Sequence, residues 1–78
     1  MKRICIDVSD ETAATLASLV QSCNDAHDAR DGFTTHGKLA VASLLAMLAE
    51  DAAMVVTRPG SWEGANMAQV LMSHGYDV

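Results

Sequence analysis

The sequence predicts an α+β fold: an N-terminal β-strand, three α-helices and a short second strand in one small domain. Three observations carry that expectation. Residues 3–8 alternate between polar and apolar side chains, which is the period of a half-buried strand. Two other stretches repeat apolar residues at helical spacing behind a serine, and the run from Leu39 to Ala49 is apolar but for Ser43. The 78 residues leave room for one core, so residues 1–78 are expected to form a single domain. An apolar content of 50% with a single proline separates the chain from disordered sequences.

In the predicted strand, Ile4, Ile6 and Val8 point one way and Arg3, Cys5 and Asp7 the other. Ser9 offers an N-cap oxygen to a first helix, and Asp10 and Glu11 fill its first turn, where the helix dipole favours anions. Leu16, Leu19, Val20 and Cys23 then form its inner stripe. Residues 24–33 read as a frayed end and loop, because Asn24, Asp25 and Asp28 compete for backbone hydrogen bonds and Gly32 breaks the pattern. Thr34 or Thr35 is placed to cap a second helix. Its middle, LAVASLLAMLA, is apolar almost all the way round, and such a helix is buried on every side. In so short a chain, a second copy could supply one covering face. AMVVT, residues 53–57, reads as the second strand, stopped by Arg58-Pro59-Gly60. Ser61 caps a third helix with Glu63 in its first turn and Met67, Val70, Leu71 and His74 inside. Gly75 stands at the left-handed position that ends it.

Charge narrows the partner. The net charge is −5 and the pI about 4.8. Nucleic-acid binders carry a basic footprint, so direct binding to nucleic acid or to an anionic membrane is not expected. A partner guided by electrostatics is basic. The same charge also keeps a small domain soluble, a reading of comparable weight. No signal-peptide pattern precedes the strand and the longest apolar run is too short for a bilayer. A cytoplasmic protein, monomer or homodimer, with Cys5 and Cys23 reduced is therefore expected.

CNDAHDARDGF, residues 23–33, is the densest polar stretch. It could be a metal loop, a solvated connector or an acidic docking surface. A calcium loop needs oxygen ligands at alternating positions and a closing Glu, whereas Asp25, Asp28 and Asp31 fall three apart. For zinc only Cys23 and His27 have suitable spacing, so no metal or cofactor is expected. The connector is the plain reading. The docking surface is the functional one, with Glu50 and Asp51 as a second acidic patch. Ser61, Cys23, His27 and His36 lack the context of a nucleophile and its base, and Gly60 and Gly64 lack the pattern and lysine of a phosphate loop. Enzymatic activity is not expected. Trp62 reads either as an anchor tying its loop to the core or, beside Arg58, as a partner-binding aromatic.

Two resemblances follow. Residues 3–50, read on KRICIDVSDETAATLASLV and TTHGKLAVASLLAML, resemble the ribbon-helix-helix repressors in element order. That resemblance implies a dimeric transcriptional regulator whose strands enter the DNA major groove. Here Arg3, Cys5 and Asp7 would face the bases, and RPGSWEGANMAQVLMSHGYDV extends beyond where such repressors often stop. In size, acidity and lack of catalytic motifs the whole chain is also similar to the phage-encoded anti-CRISPR proteins that act on type I surveillance complexes. That likeness implies binding to a basic Cas subunit in the bacterial cytoplasm and exclusion of target DNA by occupancy or charge mimicry. Asp25, Asp28, Asp31, Glu50, Asp51 and Trp62 would be the contacts.

Overall fold

The computed structural model describes residues 1–78 and is all-α, with α1 (Asp10–Ala29), α2 (Val41–Thr57) and α3 (Trp62–Ser73). This corrects the α+β expectation, since neither predicted strand is present. The backbone groups into two compact units, Met1–Val41 and Ala42–Val78.

In the first unit, residues 1–8 are not helical and enter no backbone hydrogen bond, because no second strand exists for them to pair with. Ser9 then caps α1 as expected: its Oγ accepts from the Thr12 N–H at 3.1 Å. Such a cap stabilises a helix by about 1 kcal/mol. The helix runs on to Ala29 rather than ending at Cys23. The polar residues expected to fray it find partners off the helix backbone. Asn24 reaches the Leu39 backbone, Asp25 accepts from Gln21, and Asp28 pairs with Lys38. With their side chains engaged outward, they do not compete with the helical ladder.

The end of α1 is a Schellman turn. Gly32 N–H returns to His27 O at 2.9 Å and Asp31 N–H to Asp28 O at 3.1 Å. That geometry needs a left-handed residue after the cap, and Asp31 supplies it at φ 53°. Thr34 and Thr35 cap nothing: their hydroxyls bond to His27 Nδ1 and His36 Nδ1, and α2 starts only at Val41.

In the second unit, α2 carries the apolar run and continues through residues 53–57, the stretch expected to be a strand. Val55 and Val56 cost only tenths of a kcal/mol each in a helix, at most ~0.7. Continuing the helix satisfies their backbone groups without a partner strand. One side of α2 holds buried Leu44 with half-buried Leu45, Met47, Leu48, Met54 and Val55. The other side, with Ala42, Ala46, Ala49, Ala53 and Val56, is exposed, so the helix is not buried all round.

A turn at Arg58–Gly60 leads into α3, whose Ser61 cap accepts from the Gly64 N–H at 3.0 Å. Gly64 is one of the two buried residues of the chain, its backbone close against the Met54 and Arg58 carbonyls. Met67, Ala68 and Leu71 continue that inner stripe, while Val70 and His74 face out. The helix ends as the sequence indicated, with Gly75 left-handed at φ 92°. Gly75 N–H bonds to Met72 O and Tyr76 N–H to Leu71 O.

Candidate functional site

The C-terminal end of α1 and the turn after it display the acidic cluster. Asp25 and Asp28 are helical and three residues apart, so they lie on neighbouring positions of one face. Asp31 follows in the turn, and all three are exposed. Their surroundings differ. Asp25 Oδ1 accepts from the Gln21 amide at 2.9 Å and keeps its charge unpaired. Asp28 forms the chain's ion pair, 3.2 Å from Lys38 Nζ. Both partners are largely exposed, so the bridge stabilises the fold by no more than about 1 kcal/mol, yet it removes one carboxylate from the outward field. Asp31 occupies a position that the turn dictates, which gives it a structural role independent of any partner.

Behind these carboxylates sits a clamp that the sequence alone did not reveal. Asn24 donates through Nδ2 to Leu39 O at 3.0 Å and accepts at Oδ1 from Leu39 N–H at 2.7 Å. This two-way amide–backbone match ties residue 39 to α1 across the connector and brings Lys38 within reach of Asp28. His27, half-buried, bonds Thr34 through Nδ1, and its ring lies under Gly32. An Asn at an inner helical position, four residues after Val20, was the only signal for the clamp.

The other site residues belong to the second unit. Glu50 and Asp51 are consecutive on α2 and therefore about 100° apart around it. Glu50 is exposed and Asp51 half-buried, so together they form no patch. Trp62, at the first position of α3, is 80% exposed and does not anchor its loop. No group of three or more His, Cys, Asp or Glu side chains is placed to hold a metal ion. Cys5 is exposed and Cys23 half-buried, and both are free thiols. No helix is long and apolar enough to cross a membrane. The chain matches no protein-family model, no curated protein and no solved structure.

Proposed function

We propose that the protein is a non-enzymatic inhibitor that binds a basic, nucleic-acid-handling protein surface. The observation that carries this reading is the pair of exposed, unbridged carboxylates, Asp25 and Asp31, on a chain of net charge −5. A groove built to neutralise phosphates also attracts fixed carboxylates, and such attraction weakens as salt rises. In its finer form the target is a Cas subunit of a type I surveillance complex, with target DNA excluded by occupancy.

A salt series of pull-downs on a purified type I complex tests the finer form. Retention at low salt that falls with ionic strength supports it, and no retention at any salt rejects it. Asp25→Lys with Asp31→Asn tests the surface itself, since Asn tolerates the left-handed turn at Asp31 and the fold is kept. Unchanged binding in that variant would show the acidic turn to be a connector.

A second reading, a ribbon-helix-helix-like transcriptional regulator, is favoured by a separate observation. The non-helical residues 1–8, α1, a connector and α2 follow in that order, and two of the five Lys and Arg residues, Lys2 and Arg3, lie ahead of α1. Selection from a random DNA duplex library separates the two readings. An enriched sequence whose binding is lost in Arg3→Ala supports the regulator, and no enrichment leaves the inhibitor.

A further inference from the structure

Trp62 is the chain's one tryptophan, and it is 80% exposed at the elbow between α2 and α3. An indole is large and apolar, and in folded proteins it is usually well covered. The elbow shows two more groups without a partner. Val56 is 83% exposed near the end of α2, and Arg58 is exposed and enters no ion pair.

A fixed frame holds these side chains. Arg58 N–H donates to Met54 O at 2.9 Å, and Arg58 O accepts from Ser61 N–H at 2.9 Å and from Ser61 Oγ at 2.7 Å. The Ser61 N–H bond closes a turn, so the α-carbons of residues 58 and 61 lie within about 7 Å, with Trp62 the next residue. Gly64 packs directly against the Met54 and Arg58 carbonyls. A guanidinium and an aromatic carried on such a frame cost little backbone freedom on binding. Tryptophan and arginine are also the residues that most often dominate the energy of protein interfaces.

We propose that this elbow is a docking site for a segment of a partner protein that carries a carboxylate beside an apolar side chain. Charge identifies the occupant. Arg58 is the one Lys or Arg of the second unit, whose acids are Glu50, Asp51, Glu63 and Asp77. Nucleic acid or an anionic bilayer would meet four carboxylates for one cation and is repelled. Glu63 lies in the first turn of α3, where the positive end of the helix dipole offsets its charge, whereas nothing offsets Arg58. One Asp or Glu of the partner can pair bidentately with that guanidinium, while an aliphatic or aromatic neighbour covers the indole. The site uses neither Asp25 nor Asp31, so it stands independently of the inhibitor reading.

A random peptide library displayed on phage and selected against the full chain is the probe. Enriched peptides are expected to share an Asp or Glu within a few residues of Leu, Phe or Trp. Because Trp62 is the one tryptophan, a tryptophan-free enriched peptide should shift the protein's emission to the blue as the indole leaves water. By calorimetry, Trp62→Ala should weaken that peptide about thirtyfold, the size of a hot-spot loss. Arg58→Glu should redirect the selection to peptides with Lys or Arg in place of the acid, a change that a purely structural residue does not produce. Both side chains are exposed, so circular dichroism of the variants should match the wild type. Four results would each overturn the proposal: no enriched peptide; enrichment of basic peptides on the wild-type chain; an Arg58→Glu selection that still favours acids; or a blue shift produced by oligothymidine or phosphatidylserine vesicles but by no peptide.

Discussion

Replacing Gly64 by alanine puts the α2–α3 packing to a numerical test. A Cβ at that position would lie 2.6 Å from Arg58 O, 2.7 Å from Met54 O and 3.0 Å from Ser61 Oγ. Carbon–oxygen contacts of the C–H···O kind sit at about 3.3–3.6 Å, so the methyl group arrives roughly 0.7 Å too close to two carbonyls. Neither carbonyl can turn away freely. Met54 O holds the last α2 hydrogen bond, from Arg58 N–H at 2.9 Å, and Arg58 O accepts from both Ser61 N–H and Ser61 Oγ. The strain must be met by moving α3, which also stretches the Ser61 cap bond to Gly64.

Overpacking of this kind costs about 1–3 kcal/mol. Alanine's helical advantage over glycine, about 1 kcal/mol in a helix interior and less in a first turn, offsets part of it. The net expectation is a loss of roughly 1–2 kcal/mol, or a melting temperature lower by about 5–15 °C for a chain this size. Circular dichroism at 222 nm against temperature and urea measures it. Gly60→Ala is the control: a Cβ there meets nothing, so it should be neutral or stabilising by up to about 1 kcal/mol. A Gly64→Ala protein as stable as wild type would refute the close approach of α3 to the α2 carbonyls.

Other perturbations reach the first unit. Asn24→Ala leaves the Leu39 N–H and C=O without the clamp, at an expected cost of about 1–3 kcal/mol. Faster amide exchange at Leu39 with a lower urea midpoint would show it, and an unchanged midpoint would dismiss the clamp as a bystander. Asp31→Gly relieves a left-handed non-glycine residue and should raise stability, by no more than about 1–2 kcal/mol. The same substitution deletes a proposed contact, so a more stable protein that binds its basic partner less well would separate the two roles of Asp31. Ser9→Ala removes the α1 cap and should lower stability by about 1 kcal/mol, read from the urea midpoint. Lys38→Gln frees Asp28 from its ion pair and should change stability by under about 1 kcal/mol. If the acidic end of α1 is the docking surface, that variant binds the basic partner more tightly; weaker binding would place Lys38 rather than Asp28 in the contact.

The features legible in the sequence were those decided within a few residues. Ser9 and Ser61 were read as caps, and Gly75 as a helix end, because each acts on backbone groups two to five residues away. The Asp28–Lys38 bridge and the Asn24–Leu39 clamp span longer separations, and the acidic end of α1 cannot be drawn without them. Residues 24–29 were misread for that reason. Asparagine and aspartate break helices only when their side chains lack better partners, and here they have them.

By itself, then, the amino-acid order determined that Ser9 and Ser61 cap helices, that Gly75 follows the end of one, and how acidic the chain is. Tertiary structure alone decided that the segment before α1 enters no backbone hydrogen bond, that Asn24 clamps Leu39, and which carboxylates remain unbridged. The division has one physical cause. A helix satisfies its backbone from its own neighbours, whereas a strand, a clamp and an ion pair each need a group that the fold must bring from elsewhere.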